Sequence, residues 1–250
     1  MRSFASEFQT LSYILEQSSS VLLFAHTRPD VDTIGATLAL AIFLENKKKR
    51  VSIACFDPFP PYLNTILPGE FLHPSQLDIA GVDAVIACDS VDRGFDRISP
   101  IIKPGQATVV IDHHPDIESS ADVKIIDTQA SSTCELLYRF FEFSHIPISK
   151  ALATRLLAGI IFDTGNLQHA CTTPRVMEIA GALMKKGAPL GKIVNTIFTN
   201  KSVSALRLWG KAFEQSVFYE KTGMLLTAVT RTDIEECAAS VEDITMSLRY

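Results

Sequence analysis

No stretch of this 250-residue sequence stays apolar for long. The nearest candidate, Ala36–Leu44, falls far short of the roughly 18–20 residues a membrane-spanning helix needs. Met1–Gln17 carries Ser, Glu, Gln and Thr where a secretory signal would have its apolar centre, so no signal peptide is expected and a cytoplasmic location is. Cysteine is sparse: positions 55, 88, 134, 171 and 237, an odd count with no Cys-x-x-Cys. Four of the five sit inside apolar runs, which reads as buried reduced thiols. Cations are in the minority, 23 Lys and Arg against 28 Asp and Glu, for a net charge of −5. Stable duplex DNA binding needs clustered Lys and Arg and is not expected; a small phosphate ester held through metal ions remains compatible. There is no internal repeat and no low-complexity segment.

What is present is ample core material, with 47% hydrophobic and 20% charged residues, and this excludes a disordered scaffold. The acidity is uneven. Residues 186–250 hold 8 basic and 7 acidic side chains, leaving 15 basic and 21 acidic in residues 1–185.

Periodicity predicts a helix over Phe4–Gln17, with Phe4, Phe8, Leu11 and Leu15 on one face, and then a strand Val21–Ala25. A helix over Thr33–Leu44 follows, with Asp32 as its expected N-cap. Further strands are expected at Val51–Phe56, Ala84–Cys88, Thr108–Ile111 and Val123–Ile126, with Asp57–Pro74 an irregular loop. Helices are expected at about Ser132–Ser144, Lys150–Phe162, Pro174–Lys186 and Leu190–Phe198. Strands apolar on both faces and alternating with helices indicate an α/β fold, a doubly wound, mostly parallel sheet with helices on both faces. It would span residues 1–185. Residues 186–215 read as a helical linker, and 216–250 as the beginning of a second α/β domain. There Val217–Tyr219 and Met224–Val229 flank a turn at Lys221-Thr222-Gly223, and Thr232 or Asp233 would cap a helix through Cys237.

Three strands end in a ligand-type residue: His26, Asp89 and Asp112. Binding crevices of open parallel sheets lie outside the carboxyl ends of the strands. The following loops add Asp30, Asp32, His113 and His114, and a helix ending in Asp163-Thr164-Gly165 adds one more carboxylate. Carboxylates packed this closely repel unless protonated or neutralised by cations. Asp and His without Cys suit Mn²⁺, Mg²⁺ or Co²⁺ better than structural Zn²⁺. Six ligands with one shared suffice for two ions about 3.5–4 Å apart, an arrangement suited to phosphoester hydrolysis. Singly, each residue has a plainer reading: Asp32 as an N-cap, Asp89 as a turn cap, His26 as a core histidine. Their conjunction at one sheet edge favours the metal site.

The ordered set His26-x-x-Pro29-Asp30-x-Asp32-x-x-Gly35, Asp89, Asp112-His113-His114 and Asp163-Thr164-Gly165 resembles the motifs of the DHH phosphoesterase superfamily, most of all its oligoribonuclease (nanoRNase) and pAp-phosphatase group. The resemblance implies that His26, Asp30 and Asp89 hold one divalent cation, and that Asp32, Asp89, His113 and Asp163 hold a second, with Asp89 bridging. Mn²⁺ is the ion it favours. It makes His114 and Asp89 catalytic, His114 facing the scissile phosphate, with Asp112 orienting a neighbouring histidine. The implied substrate is short RNA or a nucleotide phosphate; a homodimer is compatible.

The pattern has departures: Val31 where motif I usually has Gly, Ala36 where Ser is usual, and Asn166-Leu167-Gln168-His169 where a Phe is expected. Relatives carry a C-terminal domain with a glycine-rich, His-containing motif that does not occur before Tyr250, so an incomplete second domain and weak activity of this form are expected. Two competing readings are an inorganic pyrophosphatase of the same superfamily and a non-catalytic nucleotide-binding module. A longer-substrate exonuclease is disfavoured by the lack of a basic groove. Lys47–Arg50 reads as a solvated turn, His73 as partnerless, His145 as a helix-end cap, and Trp209, Leu206 and Phe213 as a core or interdomain contact. His169 is left open.

Overall fold

The computed structural model describes residues 4–91, 93–115, 117–199 and 202–240. They form two compact units, Met1–Ile197 and Phe198–Tyr250. The first unit contains α1 (Ala5–Gln17), β1 (Ser20–Ala25), α2 (Val31–Asn46), β2 (Arg50–Ala54), β3 (Ala84–Cys88), β4 (Ala107–Asp112), β5 (Val123–Ile126), α3 (Thr133–Phe143), α4 (Lys150–Asp163), α5 (Pro174–Lys185) and α6 (Leu190–Val194). Among the described residues no helix is long and apolar enough to cross a membrane.

The five strands form an all-parallel sheet of order β2-β1-β3-β4-β5. All six residues of β1 and all five of β3 are buried, as expected for strands covered on both faces. The two covers differ. On one face α1–α4 pack as a connected helical layer, with Phe8 edge-on to Phe140 across α1 and α3. The other face, formed by Leu22, Phe24, Val85, Ala87 and Val110, packs against Ile79, Phe95 and Ile98, which lie in or beside short 3-10 turns. Cover there comes from these turns because residues 57–101 lack the 3.6-residue periodicity of a long helix.

Close helix packing depends on two glycines. A Cβ on Gly35 of α2 would stand 2.6 Å from the Arg155 carbonyl oxygen of α4, and one on Gly159 of α4 would stand 2.4 Å from Cys134 Sγ and 2.5 Å from Asp32 Oδ1. Only hydrogen allows this approach.

Several local expectations are corrected. Asp30, not Asp32, is the N-cap of α2; its side chain accepts from Asp32 N and Thr33 N. The predicted helix over Leu190–Phe198 ends at Val194 and passes into a π-turn at Asn195–Thr199. Residues 186–197, expected in a linker, belong to the first compact unit. His73 caps the 3-10 turn Pro74–Gln76 and sits edge-on to Phe56. His145 does close the end of α3, in the left-handed conformation at φ +52°, with its N–H donating to the Glu142 carbonyl. Lys47, Lys48 and Arg50 are exposed, in keeping with a solvated turn, while Lys49 is tied down by the Glu16 and Ser18 carbonyls.

In the second unit lie α7 (Val203–Glu214), the antiparallel pair β6 (Val217–Tyr219) and β7 (Met224–Leu226), and α8 (Arg231–Glu236). The cap of α8 is Thr230, in a capping box with Asp233, rather than Thr232 or Asp233. Leu206 and Phe213, expected in a core or interdomain contact, are 52% and 73% exposed. Residues 241–250 of the expected second domain lie outside the described residues.

Candidate metal centre

The parallel register makes the strand ends flush: Ala25 pairs with Cys88, and Cys88 with Ile111. The next residue of each strand run, His26, Asp89 and Asp112, therefore reaches one edge. β1 and β3 are neighbours although β2 intervenes in sequence, so His26 and Asp89 sit where the winding of the sheet reverses, the usual place for a ligand crevice. Asp89 takes φ +57°, a left-handed conformation that Asp tolerates better than most residues. His113 and His114 follow β4 directly, Asp30 and Asp32 open α2, and Asp163 ends α4.

Three overlapping groups of ligand-type side chains result: His26, Asp30 and Asp89; Asp32, His113 and Asp163; and Asp89, His113 and His114, with the ligand atoms of each group within 4.8 Å of one another. Asp89 divides its two oxygens. Oδ2 lies 3.5 Å from His26 Nε2, and Oδ1 lies 3.6 Å from His113 Nε2. His26 Nε2 is 3.4 Å from Asp30 Oδ2, and His113 Nε2 is 3.2 Å from Asp163 Oδ2. Around an ion with bonds of about 2.1 Å, neighbouring ligand atoms stand about 3.0–3.4 Å apart, so these spacings are close to those of coordinating groups. The buried His113 Nε2 has no hydrogen-bond partner among the described residues, and such a buried nitrogen calls for a ligand. The donor set fits a pair of hard or borderline divalent ions.

Buried polar partners fix these side chains. Asp32, fully buried, accepts from Thr133 N at 2.7 Å and Cys134 N at 3.0 Å, the first amides of α3, whose positive end favours an anion. Thr33 Oγ1 donates to the Cys88 carbonyl at 2.8 Å and ties α2 to β3. His26 Nδ1 is 2.7 Å from the Thr27 carbonyl oxygen, which directs Nε2 at the carboxylates. His114 Nδ1 lies 2.9 Å from Asp112 Oδ1.

Electrostatics follow from crowding. Burial first, then Asp163 and Asp89, push Asp32 well above the usual carboxylate range. Burial alone would lower His26, but Asp30 and Asp89 raise it to about 9. Hydrogen bonds to Asp112 and Asp89 raise His114 to about 10. Burial works to raise Asp89, yet His114 and His26 outweigh it and hold Asp89 below the usual range. One carboxylate is thus stable as an anion, while its neighbour Asp32 is destabilised for want of further positive charge.

All eight residues expected at the site, His26, Asp30, Asp32, Asp89, Asp112, His113, His114 and Asp163, meet at this edge. Asp127, at the end of β5, is outside it, paired with Arg139 at 2.8 Å. His169 Nδ1 lies 2.9 Å from the Asp163 carbonyl oxygen, with the ring packed over Gly165; it braces the turn after α4. Sequence reasoning missed Arg93, whose Nη2 lies 2.8 Å from His114 Nε2 and whose Nη1 is 3.3 Å from His26 Nε2. It also missed the α3 amides. Neither has a local sequence signal.

A model of the DHH family, N-terminal domain, matches residues 20–160. The chain is 26% identical over 178 residues to the probable bifunctional oligoribonuclease and PAP phosphatase NrnA of Streptococcus mutans, a match covering 71% of this chain and 56% of that protein. This chain thus spans little more than half the length of that relative. It is 25% identical over 247 residues to a probable manganese-dependent inorganic pyrophosphatase of Streptococcus agalactiae, covering 92% of this chain and 77% of that one. In fold it is similar to an exopolyphosphatase-related protein from Bacteroides fragilis, with a TM-score of 0.86 and 24% identity over 95% of this chain and 73% of the other. The family match takes in β1 through most of α4, and the chain belongs to the DHH family.

Proposed function

We propose that the chain is a divalent-metal-dependent phosphoesterase acting on short oligoribonucleotides, on 3'-phosphoadenosine 5'-phosphate, or on both. The observation that carries this reading is Asp89, which turns one oxygen to His26 and the other to His113, as a carboxylate bridging two ions would. His26, Asp30 and Asp89 would hold one ion; Asp32, Asp89, His113 and Asp163 the other. Two such ions supply an acidified water and neutralise charge on a phosphoryl group. The chain's own residues do the rest. Asp112 aligns His114 and favours its protonated form, which suits it to stabilise charge on the phosphate or give a proton to the leaving oxygen. The α3 amides fix Asp32. In this reading the first compact unit, Met1–Ile197, is the catalytic domain, and the second, from Phe198 onward, belongs to a substrate-binding domain.

The second reading is an inorganic pyrophosphatase, favoured by the likeness to the Streptococcus agalactiae protein over 92% of the chain. Incubation with Mn²⁺ and dinucleotide, pAp or pyrophosphate separates the two. Turnover of the nucleotides in preference to pyrophosphate, lost in Asp89→Ala, is expected. Preferential turnover of pyrophosphate would establish the second reading. Nucleotide binding with no hydrolysis of any substrate would make the chain a binding module.

A further inference from the structure

Arg93 lies in a turn after β3, yet its guanidinium reaches the centre of the site. Nη1 is 3.3 Å from His26 Nε2 and 3.7 Å from Asp30 Oδ2, and Nη2 is 2.8 Å from His114 Nε2. The backbone beneath it is held firmly. Thr27 donates to the Arg93 carbonyl through its N–H at 2.9 Å and its hydroxyl at 3.3 Å, and Arg93 N donates to the Ser90 carbonyl at 3.2 Å. Gly94 follows at φ +111°, where a Cβ would come 3.1 Å from Thr27 Cγ2. The loop after β3 is thereby fastened to the loop after β1. The Arg93 side chain, 30% exposed, faces both the ligand cluster and solvent.

The guanidinium stands directly against His26 Nε2 and His114 Nε2, and so fills the positions that the reading above needs for an ion and for the phosphate. One Nε2 position cannot serve a guanidinium and another partner together. An ion among His26, Asp30 and Asp89 displaces Nη1, and repulsion between cations acts in the same direction. We propose that Arg93 is a phosphate-binding residue of this site, parked on His26 and His114 until an ion claims His26, and then turned to grip a phosphoryl group. The planar donor fork matches two oxygens of one phosphate, so the ligand class is a phosphate monoester or diester. The proposal rests on the metal-dependent phosphoester reading.

The test uses the full chain and its Arg93→Ala and Arg93→Lys variants. Mn²⁺ binding is followed through the electron paramagnetic resonance of the free ion. Inorganic phosphate binding to each Mn²⁺-loaded protein is then measured by calorimetry. Both variants are expected to bind as many Mn²⁺ ions as the unsubstituted chain, and Arg93→Ala at least as tightly. Phosphate affinity should fall about tenfold or more in Arg93→Ala, the loss of roughly one charge-assisted hydrogen bond. Arg93→Lys should recover part of it, since the charge returns without the fork. A smaller fall in Arg93→Ala overturns the proposal, and so does an unsubstituted Mn²⁺-loaded chain with no measurable phosphate affinity. Loss of Mn²⁺ binding in Arg93→Ala also overturns it, by making Arg93 a scaffold for the ligands. An unsubstituted chain that takes up no Mn²⁺ instead removes the metal-dependent reading beneath it.

Discussion

Asp30 performs two tasks with one carboxylate. Oδ1 caps α2 by accepting from Asp32 N and Thr33 N, while Oδ2 faces His26 Nε2. Substitution can separate the tasks. Serine caps a helix about as well as Asp, and alanine does not, at a cost of about 1 kcal/mol. Asp30→Ser and Asp30→Ala should therefore both lose the ion at the His26 end. In urea unfolding with EDTA present, the alanine variant should be less stable than the serine one by about 1 kcal/mol. Equal stability of the two would show that the cap contributes nothing, and full Mn²⁺ uptake by either would remove Asp30 from the ligand set. This sharing also explains why the order of Asp30 and Asp32 misleads a local reading. Both lie where a cap could be, and what assigns Asp32 elsewhere is its pair of bonds to Thr133 N and Cys134 N, a hundred residues away.

At the scale of elements, the α2–α4 contact couples packing to the site. Gly159→Ala would drive a methyl against Cys134 Sγ and Asp32 Oδ1, both fully buried. Such overpacking costs about 1–3 kcal/mol, and here it would also shift Asp32 off the α3 amides. Urea unfolding should show that loss, and a Mn²⁺ titration should show weakened uptake at the Asp32 end. A stable variant with unchanged Mn²⁺ affinity would mean the two helices part without moving the carboxylate. The strands were legible because β1, β3 and β4 are largely apolar runs that stop at His26, Asp89 and Asp112. Those three stops, read together, marked the site edge. The second cover of the sheet was not legible, since 3-10 turns carry little periodicity. Arg93 was not legible either: its place depends on the Thr27–Arg93 bonds between two loops.

At the scale of the whole molecule, the excess of carboxylate in residues 1–185 is concentrated where five Asp side chains share one sheet edge. Without added positive charge this crowding opposes folding, as the raised Asp32 shows. Ion binding to the folded chain should therefore stabilise it. At an Mn²⁺ concentration 100 times its dissociation constant the gain is about 2.7 kcal/mol, or a Tm rise of about 5–10 °C for a chain of this size. Thermal unfolding with Mn²⁺ and then with EDTA measures the rise and its reversal; an unchanged Tm would count against ions at this edge. The spread of the site residues from His26 to Asp163 along the sequence also sets an order of events during synthesis. His26 emerges early and Asp163 late, and no shorter nascent chain contains every ligand. Capture of the ion assigned to Asp32, Asp89, His113 and Asp163 would thus be a timestamp for completion of α4, and a ribosome-stalling series that stops on either side of Asp163 would date it.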